Sequence, residues 1–195
     1  MANSYQVSNA YKRQIENRNF LAPTGFELVL NRAPKVAFFS NAANVPGITL
    51  GEATQPTYLK DIPVPGDKII FDDLNLRFLV DEDLKNYMEL QNWIRGLGYP
   101  ETLKEIYDLQ KEDTNISKSR NTGMMDIYSD GTLTVLVSSQ NALFKVNFSD
   151  LWPYNLTTLQ FDATDTDVEY FTADVSFKYT VYALTDLENN PLHKC

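Results

Sequence analysis

A chain of 195 residues with 43% hydrophobic and 12% aromatic content can bury a core of its own, which argues against a wholly disordered protein and against a scaffold held by metals or disulfides. Its net charge of −9 argues against direct binding to the nucleic-acid backbone, since its longest basic-leaning stretch is only Lys118 to Arg120. The one cysteine, Cys195, allows no intrachain disulfide, and no apolar run is long enough to span a bilayer, so no membrane insertion is expected.

Met1 to Asn19 is polar and reads as a flexible arm (1–19), with a weak amphipathic pair at Tyr11 and Ile15 and no charged-then-apolar leader. A single domain is expected over 20–184. Phe26, Leu28 and Leu30 alternate with Glu27 and Val29 as a strand. Val36 to Ser40 is a second apolar run, and Asn31 to Pro34 between them predicts a hairpin. Tyr58 to Val64 and Lys68 to Phe71 flank Pro65-Gly66-Asp67, whose turn chemistry predicts another. Leu74, Leu76, Phe78 and Val80 then alternate as a strand.

One clear helix is expected at Asp81 to Leu97. Asp81 is its candidate N-cap, with Glu82 and Asp83 in the first turn, where the helix dipole favours negative charge. Leu84, Tyr87, Met88, Ile94 and Leu97 recur at helical spacing, widened by Leu90 and Trp93; Gly96, Gly98 and Pro100 end the run. The charged stretch 101–123 reads as an insertion or loop with room for a short helix.

Met125 to Tyr128 and Thr132 to Ser138 flank Ser129-Asp130-Gly131, a third hairpin signal. Phe144 to Phe148 runs into Leu151-Trp152-Pro153-Tyr154, where Pro153 is expected to end the strand. Leu159 to Phe161 reads as a short strand. Asp162 to Asp167 reads as a turn before a long final strand, Val168 to Leu184. On that strand Val175, Phe177, Tyr179 and Val181 share one face, opposite Asp174, Ser176, Lys178 and Thr180. Residues 185–195 form a tail. The sum is a mainly β, α+β chain: a β-sandwich or barrel with one packed α-helix.

Catalytic chemistry is hard to build from these residues. His193 is the only histidine and lies two residues from the end, a poor place for catalytic precision. His193 and Cys195 supply at most two metal ligands, where zinc needs three or four. Asp162, Asp165 and Asp167 suggest a calcium loop, but the glycine and glutamate at its sixth and twelfth positions are missing. Three Asn-x-Ser/Thr triplets, at Asn115, Asn147 and Asn155, are attributed to chance. No phosphate loop, GxSxG or CxxC occurs. No enzyme and no cofactor are expected, and function is sought in edges and surfaces.

Three segments together resemble the tail tube protein family of contractile-tailed bacteriophages. The first is Asn19-Phe20-Leu21-Ala22-Pro23 leading into Phe26-Glu27-Leu28. The second is Gly66-Asp67 through Phe71-Asp72-Asp73, the Leu74 to Val80 strand, Asp81-Glu82-Asp83 and the helix bearing Trp93. The third is Leu151-Trp152-Pro153 with Asn155, Leu156 and Leu159 and the closing strand. They cover most of the chain apart from 101–121 and the ends. The chain departs from the family in a longer N-terminal arm, a longer segment after the helix and a tail beyond Leu184.

The resemblance implies a ring-forming subunit whose six-membered rings stack into a tail tube, the conduit for DNA ejection. DNA would pass the lumen without specific binding. Implied partners are further copies of the chain and the tail sheath, tape-measure and baseplate or neck proteins. The implied location is the virion tail, after assembly in the host cytoplasm. A single-ring tube initiator or terminator is the alternative, and a monomeric β-sandwich binding module is the alternative of another class. Within the tube reading, the expected inter-subunit hairpins are Tyr58 to Phe71, with Tyr58, Ile62, Ile69 and Phe71, and Met125 to Ser138, with Ile127, Val135 and Val137. The helix is placed on the outer side. Leu84, Met88, Trp93, Trp152, Phe177 and Tyr179 are the expected core anchors.

Overall fold

A computed structural model describes residues 21, 25–112, 127–137, 141–161 and 170–192. The 1–19 arm, the aspartates at 162–167, residues 193–195, and 113–123 of the expected insertion lie outside the described residues.

β1 (Phe26–Leu30) is followed by a short helix α1 (Pro34–Phe38), then β2 (Ser40–Ala43), β3 (Ile48–Gln55), β4 (Ile62–Phe71) and β5 (Leu74–Leu79). Helices α2 (Lys85–Gly98) and α3 (Lys104–Glu112) come next, then β6 (Ser129–Leu136), β7 (Ala142–Leu156), β8 (Thr172–Lys178) and β9 (Val181–Thr185). Seven strands pair in the order β1-β6-β7-β8-β5-β2, with β9 also on β7. β3 and β4 stand apart as a two-stranded ribbon.

The long β7 belongs to both layers. Its first half pairs with β6 on one side and β9 on the other, and its second half pairs with β8. It bends at Asp150, whose φ of 57° lies in the left-handed region that aspartate tolerates better than most residues. The layers are open, with free edges at β1, β2 and β9 among the described residues, so the domain is a sandwich and not a closed barrel. Leu28, Leu30, Leu76, Phe78, Val146, Phe148, Val175 and Phe177 fill it.

Several expectations are corrected. The apolar run after β1 is α1 and not a hairpin arm: Pro34 stands at the first turn, where its fixed φ starts a helix, and Val36 and Ala37 are buried. A short apolar run does not reveal its own period. Pro65-Gly66-Asp67 is no turn; β4 runs through it with a register shift, and the reversal lies at 56–61. Prolines are tolerated because each ribbon strand has a free edge. A Cβ on Gly66 would sit 2.7 Å from the Gly51 carbonyl oxygen, so glycine is needed for close approach there.

Asp81 is not the N-cap of α2. Leu84 takes that place in a left-handed conformation, with φ 57°, and no acid occupies the first turn. Buried Asn86 organises the entry instead. Its Oδ1 accepts from the Asp81 and Tyr87 N–H groups (3.1 and 2.8 Å), and its Nδ2 donates to the Leu79 carbonyl (2.7 Å). The buried stripe is accordingly Asn86, Leu90, Trp93 and Gly96. Leu84 and Met88, expected as core anchors, are 37% and 49% exposed.

Ser129-Asp130-Gly131 begins β6 and does not turn. Pro153 does not end β7, and no strand forms at 157–161. The final alternating run is two strands, broken at Tyr179-Thr180, so Tyr179 and Val181 do not continue the face of Val175 and Phe177.

Candidate functional site

The ribbon is built unlike the rest of the chain. Of the eight residues of β3 and the ten of β4, only Gly51, Gly66 and Phe71 are less than exposed. Yet the ribbon is rich in β-branched and apolar side chains: Ile48, Leu50, Ile62, Val64, Ile69 and Ile70 all project into solvent. Ile48 pairs with Phe71 and Leu50 with Ile69, so these four share one face near the ribbon's base. An isolated two-stranded ribbon is marginal in water, and a flat apolar edge strand is a template for pairing with another chain. Covering each half-exposed side chain would contribute on the order of 1 kcal/mol.

The ribbon's root is held firmly. Phe71, Tyr179, Tyr182 and Phe148 form an aromatic cluster, with Phe71 at 5.6 Å from Tyr182 and Phe148 at 5.1 Å from Tyr179. The Tyr182 hydroxyl donates to the Pro46 carbonyl ahead of β3 (3.1 Å), and the Tyr179 hydroxyl donates to the Asp72 carbonyl after β4 (2.8 Å). One tyrosine thus grips each leg. Beside them Asp73 accepts from Lys178 and from the Tyr154 hydroxyl, and the Asn44 side chain donates to the Asp73 carbonyl (3.0 Å).

Hydrogen bonds from Lys178 and then Tyr154 hold the Asp73 carboxyl below its ordinary 3.8. That contribution is complete above the ordinary value and is lost as pH falls through the lowered one. Burial, helped by nearby Tyr182, Asp72 and Asp73, pushes the Tyr179 hydroxyl up from 10.0 to about 12. The folded state therefore holds this proton more tightly, so the clamp is intact below pH 10 and is lost as pH rises towards about 12. We expect Tyr179→Phe to abolish that alkaline loss. The variant should also speed amide exchange in β3 and β4 severalfold, consistent with about 0.5–1.5 kcal/mol for the lost bond. Hydrogen exchange at unchanged ribbon rates would show that Tyr179 does not hold the root.

The remaining expected site residues distribute as follows. Ile62, Ile69 and Phe71 lie on the ribbon, and Tyr58 lies at its tip in the turn. The expected hairpin Met125 to Ser138 is overturned. Val135 is buried mid-strand, paired with Phe26 on one side and Phe144 on the other, so no edge is left there. Ile127 precedes β6 and accepts from the Trp93 indole (3.1 Å); Val137 follows it and donates to Asn141 (2.9 Å). Trp93 and Phe177 are buried core, and Trp152 and Tyr179 pack against it partly buried. Sequence reasoning did not single out Tyr182, and it gave the ribbon's partner strand β3 no role. The apolar Ile48-Leu50 pair was the available signal for β3.

Among the described residues no cluster of three or more His, Cys, Asp or Glu could hold a metal ion, and no helix is long and apolar enough to cross a membrane. An exposed apolar ribbon with free edges among the described residues has the makings of a template for pairing with another chain. The phage tail tube protein family model matches residues 1–185. The chain belongs to the phage tail tube protein family. Its fold is similar to a chain of the six-fold symmetrised anti-feeding prophage baseplate, with TM-score 0.57, 10% identity, and 87% of this chain and 98% of that one covered. It is similar to a chain of the anti-feeding prophage tube-terminating cap, with TM-score 0.56, 14% identity, and 92% and 99% covered. A chain of the sheath–tube complex of the PVC extracellular contractile injection system, in its extended state, gives TM-score 0.50 at 15% identity, with 92% and 99% covered. No curated protein matches the sequence.

Proposed function

We propose that this tail tube family member forms a closed ring of six copies at one end of a tail tube, as an initiator at the baseplate or a terminator at the neck. The observation that carries ring formation is the β3–β4 ribbon, an apolar two-stranded unit whose edges and apolar face lie open among the described residues. The end position draws support from the likeness to a baseplate chain and a tube-terminating cap chain. Further copies are the first partners, with baseplate, neck or sheath components beyond them, and the virion tail is the location. The chain's charge of −9 suits a passage that DNA and the tape-measure protein traverse without sticking. In this arrangement α2 lies on the outer side, and the 1–19 arm and the 101–123 segment are candidates for ring-to-ring or partner contacts.

The family itself favours a second reading, a repeating tube subunit with stacked rings. Native mass measurement over rising concentration separates the two. The end-ring reading expects a species six times 22.3 kDa that stops growing. Growth in multiples of six would transfer the chain to the tube body, and a monomer at every concentration would remove both readings.

A further inference from the structure

The turn that closes the ribbon carries the two most exposed apolar side chains among the described residues. Tyr58 is 101% exposed and Leu59 is 92% exposed. The turn is preformed: the Thr57 hydroxyl accepts from the Lys60 N–H (3.3 Å) and donates to the Lys60 carbonyl, just beyond the last ribbon pair, Gln55 and Ile62. A knob fixed in this way loses little conformational entropy on docking.

Elsewhere on the same chain lies an open groove of about 350 Å³, between β1 and α1. Leu28, Leu30 and Ala37 lie beneath it, and Val29 and Phe38 stand on its rim, 47% and 83% exposed. Phe38 meets Phe39 edge-on at 5.1 Å, leaving an aromatic surface for a third ring. The Ser40 hydroxyl on the groove's lining is already engaged, donating to the Ala37 carbonyl (2.8 Å). Its charge complements the knob: Glu27 lines the groove, and Lys60 adjoins Leu59.

We infer that Tyr58 and Leu59 of one copy seat in the β1–α1 groove of the next copy, with Lys60 meeting Glu27 at the rim. A knob and a hollow at different places on one chain make a heterologous contact, which passes from copy to copy and closes when the rotation allows. This inference rests on the ring-forming reading and names the surface that receives the ribbon.

The test is a cross-link in the full chain with Cys195→Ser, carrying Tyr58→Cys and Phe38→Cys together, oxidised after assembly. A ladder of linked copies on a non-reducing gel is expected, absent from either single cysteine variant. Leu59→Asp alters a fully exposed residue, so the subunit should fold normally while requiring at least tenfold more protein to form rings. Rings without a ladder, a link within one copy, or normal assembly of Leu59→Asp would each overturn the groove contact while leaving ring formation standing. A protein that stays monomeric without any substitution would remove the ring reading itself, and this contact with it.

Discussion

Replacing Trp93 by alanine is expected to cost about 3–5 kcal/mol of folding stability, the range for emptying a buried aromatic site. Trp93 is 2% exposed and joins four parts of the chain. It sits on α2, packs on Phe177 of β8 at 6.2 Å, lies under the Arg32 guanidinium at 5.3 Å, and donates its indole N–H to Ile127 ahead of β6. Arg32 in turn donates to the Leu109 carbonyl of α3 (2.6 Å), so the loss should spread to the α2–α3 contact. Trp93→Phe keeps most of the packing and strips the Ile127 carbonyl of its donor, for about 1–3 kcal/mol. Urea denaturation separates the cases. An alanine variant weakened by less than about 1 kcal/mol would mean that α2 is not locked through this side chain.

Leu50→Glu with Ile69→Lys should leave the monomer folded and abolish its assembly. The two residues are cross-strand partners on the ribbon's apolar face and are about half exposed. Opposite charges placed directly across from each other favour the pairing, so the ribbon itself survives. What disappears is the apolar surface offered to another chain, replaced by two groups that are costly to bury. Circular dichroism should match the unaltered protein, while light scattering should give a monomer. Assembly at the original concentration would show that this face is not an interface.

Where burial dictated a period, the sequence was readable. The β5 alternation of Leu74, Leu76 and Phe78 is one; of the expected α2 stripe only Leu90 and Trp93, at its flank, are fully buried, while Leu84 and Met88 are exposed. Reading failed where a local signal was overridden by its neighbours. Gly131 invited a turn, yet it lies in β6 because a glycine fits closely against Leu30 of β1. Pro153 promised a strand end, yet it sits buried in β7, its missing donor falling by a register shift against β8. Asp81 looked like the cap, but Asn86, five residues on, took over the orphan donors by reaching back. The candidate site was half legible. Pro65-Gly66-Asp67 disguised the middle of β4 as a turn, although Ile62, Ile69 and Phe71 on either side of it were expected at an inter-subunit surface. The exposure of β3 and β4 shows that, among the described residues, little of its own chain lies upon this apolar surface.

The most direct measurement is negative-stain electron microscopy of the purified protein beside the Leu50→Glu, Ile69→Lys variant. Closed six-membered rings with a central opening are expected from the first and none from the second. Rings of normal size from the variant, or no rings from the unaltered protein at any concentration, would contradict assembly through the ribbon.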